Sequence, residues 1–290
     1  MTAFATWPIP ADAAGIGLKP QHYKDLLNDV APVAFLEAHA ENFMGAGGPP
    51  HRWLTALRER FPLSFHGVCL SLGGRDPLDR DHLARLSALV ERYEPDLVSE
   101  HLAWSADGGH FLNDLLPPPL TKASLRTIAA HIDETQSALK RSVLIENPSS
   151  YLAYSRSDYD EPEFINELAI RTGCGILLDI NNVYVSAFNL GFSADKYVDS
   201  IDAGRVYEIH MAGHALDEFE GGALRIDNHG SAPPTAVCAL YQRFIRRAGC
   251  RPTLLEWDTD IPDFGAMRAE AVRLTRLMND AVNAREAIHA

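Results

Sequence analysis

The chain has 290 residues, 46% of them hydrophobic and 22% charged, with a formal net charge of −13 at pH 7. That length allows a sizeable core, and that charge repels phosphate backbones and acidic membrane surfaces, so nucleic-acid binding through a basic patch is disfavoured. The N-terminus, MTAFATWPIPADAAGIGLKP, lacks a basic stretch followed by a long apolar one, and no window approaches about 18 uninterrupted apolar residues, so a soluble, cytoplasmic protein is expected. Bound divalent cations would reverse the sign of the field locally, because they would be the largest charges in their site.

In chain order, short apolar runs alternate with amphipathic helical patterns. The predicted strands are GIGL (15–18), VAFLEAHA (33–40), LSFHGVCL (63–70), DLVSEHLAWS (96–105), SVLIEN (142–147), GILLDIN (175–181), RVYEIHMAG (205–213) and PTLLEWD (252–258). The predicted helices include HRWLTALRERF, HLARLSALVERY, LRTIAAHIDETQSAL, EFINELAIRTG, AVCALYQRFIRRAG and the closing FGAMRAEAVRLTRLMNDAVNAREA, two of them ending at a glycine. Eight such units match a (β/α)8 TIM barrel, which typically needs about 250 residues. A doubly wound open sheet is the alternative, but every strand after the first carries polar residues near its C-terminal end, where a barrel gathers its active site. With no linker and no repeat, residues 1–290 read as one TIM-barrel domain. The segments NDLLPPPLT and FEGGALRIDNHGSAPP read as long loops over the same face.

The polar strand ends are His66, Glu100 with His101, Glu146 with Asn147, Asp179 with Asn182, Glu208 with His210 and His214, Asp227 with His229, and Glu256 with Asp258. Singly, a strand histidine is more often a hydrogen-bonded core residue, and a strand-end aspartate commonly caps the next helix. Together, in one mouth, that many carboxylates cannot all ionise without cations, so a multinuclear metal site is expected. Alternate strand residues face opposite ways, so Glu100 and His101 cannot both point inward, and one is a ligand while the other supports it. The same parity lets Glu208 support His210 from further down the barrel.

Other chemistries have weak signals. Cys69, Cys174, Cys238 and Cys250 contain no CxxC pair and read as reduced, mostly buried thiols. GAGG and SLGG lack a following lysine, so no phosphate loop is indicated, and no GxSxG elbow is present.

From GIGLKPQHY (15–23) to LLEWDTDIP (254–262) the chain resembles the multinuclear non-heme iron-dependent oxidative enzymes. That family includes the catalytic subunit of methanobactin synthesis. The resemblance is carried by AENFMG, SEHLAWS, NDLLPPPLT, IENPSSY, LLDINNVYVSAFNLGF, EIHMAGH and DNHG. It implies a xylose isomerase-like barrel holding two or three irons in mixed Fe(II)/Fe(III) states, with dioxygen as co-substrate. It also implies oxidative modification of a ribosomally made precursor peptide, at cysteine, presented by a companion protein.

A more distant resemblance, to the endonuclease IV barrels, implies the ligand sets. His66, His101 and Glu146 would hold one metal, with Glu146 bridging to a second held by Asp179, His210 and Glu256. Asn182, Asp227 and His229 would hold a third. Glu146, Asp179 and His210 are the implied catalytic centre. Asn182 stands where the endonuclease pattern has histidine, which implies a looser third site and favours the oxidative relatives. The rival readings are a divalent-metal hydrolase or sugar isomerase without redox, and a non-enzymatic metal-binding scaffold. Tyr184, Phe188 and Phe192 are candidates for lining a peptide groove, against the more ordinary reading as packing.

Overall fold

Period-two alternation sorts each apolar run into an inner and an outer face, and this sorting builds the molecule. In a computed structural model describing residues 9–28 and 33–289, eight parallel strands close into a barrel in sequential order. They are β1 (Ala14–Gly17), β2 (Leu36–His39), β3 (Leu63–Gly67), β4 (Leu97–His101), β5 (Leu144–Glu146), β6 (Gly175–Asp179), β7 (Val206–Met211) and β8 (Thr253–Leu255). A helix follows each strand, and β8 pairs with β1 to complete the ring.

Phe35, Leu97, Leu144, Leu177 and Leu254, with Ile9, form a small apolar cluster separate from the main core. Counting by twos from these residues leads to Glu37, His101, Glu146, Asp179 and Glu256, so the same inward face that begins apolar ends polar. The outward faces, including Ile16, Phe65, Val98, Ile145, Ile176, Leu178, Ile209 and Leu255, pack with the helices in the main core. Register places the polar ends side by side. His101 is opposite Glu146 and Asp179 is opposite His210.

Seven of the eight strands are shorter than the predicted runs, and the departures that add new elements lie on the C-terminal face. The run 175–181 ends at Asp179, and Ile180–Leu190 is a helix. Asp179 caps it, its Oδ1 accepting from the Asn182 amide at 2.7 Å, and Gly191 closes it with φ of 76°. The run 96–105 divides into β4 and the first strand of a hairpin, Trp104–Asp107 with His110–Leu116, which turns through Gly108 and Gly109 at positive φ. The loop expected after β7 contains a second hairpin, Ala215–Phe219 with Gly222–Ile226, turning at Gly221. Glycine supplies the left-handed conformations these turns need. Gly173 and Gly249 end helices where the sequence predicts them.

Among the described residues, no helix is long and apolar enough to cross a membrane.

Gly15 sits on β1 where the barrel interior is filled by Phe35. A Cβ there would lie 2.6 Å from the Phe35 Cδ1 and from its carbonyl oxygen. Because the backbone is one of the obstacles, Gly15→Ala is expected to destabilise by about 1–3 kcal/mol in a urea unfolding titration, the cost typical of overpacking.

Candidate metal centre

Three imidazoles and three carboxylates meet inside the mouth. His66, His101 and Glu146 each offer a ligand atom, mutually within 4.8 Å, and so do Glu146, Asp179, His210 and Glu256. Glu146 belongs to both groups. His66 Nε2 and His101 Nε2 lie 3.2 and 3.4 Å from its Oε2, yet that oxygen has no aligned hydrogen bond. On the other side, His210 Nδ1 lies 3.6 Å from Glu146 Oε1 and 3.1 Å from Glu256 Oε2.

The rings are held from behind. His101 Nδ1 is 3.2 Å from the Gly67 carbonyl, which can only accept, so the proton sits on Nδ1 and the Nε2 lone pair faces Glu146. His66 Nδ1 pairs with Ser99 Oγ at 2.7 Å. Asp179 divides its oxygens, Oδ1 capping the following helix while the buried Oδ2 has no partner. Thus the capping role and the site-facing role, alternatives in the sequence, coexist in one carboxylate.

Parity separates Glu100 from His101 as expected. Glu100 turns away from the mouth, accepting from the amides of Leu70 at 2.6 Å and His101 at 3.0 Å. Burial, with Glu41 nearby, pushes its carboxyl up to about 8.

Asp227, His229 and Asn182 stand beside the second group. His229 Nε2 is 2.7 Å from Asp227 Oδ1, and its Nδ1 is 3.3 Å from Asp258 and 3.5 Å from Glu256. Asn182 donates to the Asn147 carbonyl at 3.1 Å, leaving its buried Oδ1 unpartnered. Asp258 also pairs with Lys19, and His39 approaches Glu256 to 3.8 Å.

Glu37, like His39 of the group with Glu256 and Asp258, is a site residue that strand spacing did not single out. It lies beneath His210, its Oε1 3.1 Å from Nε2, while Ser64 donates to its Oε2 at 2.9 Å. Glu208, fully buried with both oxygens unpartnered, completes this underside group. The alternation Phe35, Glu37, His39 in VAFLEAHA was the available signal.

The electrostatics follow from crowding. Burial raises Asp179 to about 7 and Glu146 well above the carboxylate range, with neighbouring carboxylates adding to both shifts. Burial lowers His101 to about 4 and His66 well below the usual histidine value. For His210 burial pulls down, but Glu37, Glu146 and Glu256 outweigh it and raise the ring.

Outside the mouth, Phe188 and Phe192 are partly exposed and Tyr184 is half-buried; Arg225 lies over the first and third, and Phe192 stacks on Tyr197. All four cysteines are free. Burial pushes Cys69 up to about 11, which makes it a poor nucleophile.

A carboxyl raised in the folded state keeps its proton where the unfolded chain has already ionised, so its contribution to stability is lost as pH rises through the folded value. The lowered histidines act oppositely, but their effect is complete above about 6.5. With Asp179 near 7 and Glu100 near 8, the chelator-treated protein is expected to lose melting temperature between pH 6.5 and 8. If divalent metal binds at Asp179 it takes the place of the proton, and the slope is then expected to reverse at saturating metal. Differential scanning calorimetry across that window checks the sign.

Comparison with known proteins identifies the family and the barrel type. Over residues 13–279 the chain matches the profile of "RiPP precursor modification enzyme MbnB/TglH/ChrH", RiPPs being ribosomally made peptides modified after translation. It is 49% identical to a UPF0276 protein of Paraburkholderia phytofirmans over 279 residues, covering 95% of this chain and 91% of that one. A UPF0276 protein of Rhizobium meliloti is 51% identical over 273 residues, covering 93% and 88%. In fold it is similar to endonuclease IV from Thermus thermophilus, with TM-score 0.56, 14% identity and coverage of 92% and 99%. That low identity bears on the barrel alone. The chain belongs to the MbnB/TglH/ChrH family of RiPP precursor modification enzymes, on a xylose isomerase-like TIM barrel.

Proposed function

We propose that the protein binds two or three iron ions in its barrel mouth and uses dioxygen to modify a cysteine of a ribosomally made precursor peptide. The observation that carries the metal reading is the cluster of Glu146, Asp179, His210 and Glu256, whose ligand atoms lie mutually within 4.8 Å, with Glu146 Oε2 and Asp179 Oδ2 buried and without an aligned hydrogen bond. Buried polar atoms are ordinarily satisfied, and bound cations would satisfy these. The donors are imidazole and oxygen without thiolate, a set that suits iron, manganese or zinc.

In this reading His66, His101 and Glu146 hold one ion, Glu146 reaches to a second held by Asp179, His210 and Glu256, and Asn182, Asp227 and His229 hold a third. The neutral amide of Asn182 makes the third position the weakest. Bound iron would supply redox chemistry with dioxygen and would lower the pKa of a coordinated cysteine thiol. The chain's own residues fix where that happens. The Gly67 carbonyl and the Ser99 hydroxyl orient the two histidines, and Asn147, paired both ways with the Asp179 backbone at 2.9 Å, anchors the junction of strand and helix. Peptide presentation by a companion protein, a cytoplasmic setting and a single 1–290 domain belong to the same proposal.

His210→Ala and Asp179→Ala are expected to abolish iron loading and peptide modification together. The check is metal analysis and Mössbauer spectroscopy of anaerobically purified protein, with mass spectrometry of a cysteine-containing precursor peptide co-expressed with it. Full modification by either variant would sink the idea. Turnover with zinc or manganese and without oxygen consumption would move the assignment to a hydrolase or isomerase.

A further inference from the structure

His214, a metal-ligand type by residue, has both ring nitrogens engaged elsewhere. Arg225 Nη1 is 2.6 Å from His214 Nε2, His214 Nδ1 is 2.7 Å from Asn181 Oδ1, and Asn181 Nδ2 is 2.7 Å from Asp227 Oδ1. One end determines every proton in this chain. A guanidinium only donates, so His214 must accept at Nε2 and carry its proton on Nδ1. That proton goes to the Asn181 oxygen, which turns the Asn181 amide nitrogen toward Asp227.

Both ends of the chain are anchored. The Arg225 guanidinium lies over the rings of Tyr184 and Phe188, 5.0 and 4.5 Å from their centroids. Its backbone is paired in both directions with the Asn189 side chain, at 2.9 and 3.0 Å. At the other end the Tyr151 hydroxyl accepts from the Asp227 amide at 2.8 Å. Asp227 therefore has its backbone held by one group and one side-chain oxygen held by another, with His229 beside it.

We propose that Arg225, His214 and Asn181 are positioning residues that hold Asp227 in place as a ligand of the third metal, so that the hairpin Ala215–Ile226 builds that site from outside the barrel. The inference rests on the metal reading above and extends it to residues that touch no metal. Groups that orient a ligand commonly change metal affinity about 10- to 100-fold when removed. Here the effect is expected to fall on one position, because the chain of hydrogen bonds from Arg225 through His214 and Asn181 ends on Asp227.

The test is a stepwise zinc titration against a competing chromophoric chelator, with the full-length protein. In His214→Ala the weakest zinc equivalent is expected to lose about 10- to 100-fold in affinity while the tighter ones keep theirs. His214→Gln restores most of the loss, since a glutamine amide also accepts at one end and donates at the other. Unchanged affinities in His214→Ala, or equal weakening of every equivalent, would overturn the proposal. If the unaltered protein takes up no third equivalent, the third metal position falls, and this role for Asp227 with it, while the first two positions stand. Imidazole nitrogen NMR of the unaltered, zinc-free protein tests the chain independently of metal. Protonation of His214 at Nδ1 is expected, and the opposite tautomer would overturn the proposal even if His214→Ala fails to fold.

Discussion

Glu146 is the carboxylate on which the mouth of the barrel depends. It is fully buried, has imidazoles on two sides and further carboxylates close by, and lacks an aligned hydrogen bond at one oxygen. Left to itself such a group favours its neutral form, which is what the upward push on Glu146 and Asp179 expresses. Divalent cations would invert that preference, turning a cluster that strains the fold into one that closes it. The short strands, the capped helix after β6 and the two hairpins can all be understood as surroundings for this concentration of charge.

The supporting shell is built with different means on different sides. Behind His66 and His101 stand a hydroxyl and a backbone carbonyl, both neutral. Beneath His210 stand two buried carboxylates, Glu37 and Glu208. Imidazoles in these settings differ in basicity, so metal positions held by them would differ in electron richness even with similar direct ligands.

Much of the barrel was legible because hydrophobic periodicity and length are local properties of the chain. The eight strands lie within or against the predicted runs, starting with Ala14–Gly17 against GIGL. What escaped was local structure on the loop side. The helix Ile180–Leu190 follows its strand without a break, since Asp179 is at once the last strand residue and the helix cap. The hairpins 104–116 and 215–226 have their turns written in glycine, but their pairing depends on strands that meet only once the barrel holds their ends.

The sequence by itself determined the alternation of strands and helices, the inward parity of each polar strand end and the residue types available to bind metal, because all three follow from spacing along one chain. Tertiary structure alone decided which of those residues share a space. Glu146 serves two groups, His101 rather than Glu100 faces the mouth, Glu37 reaches under His210, and His214 is drawn into a chain leading to Asp227. These are relations between strands, set by barrel register and closure, and no spacing within a single strand encodes them.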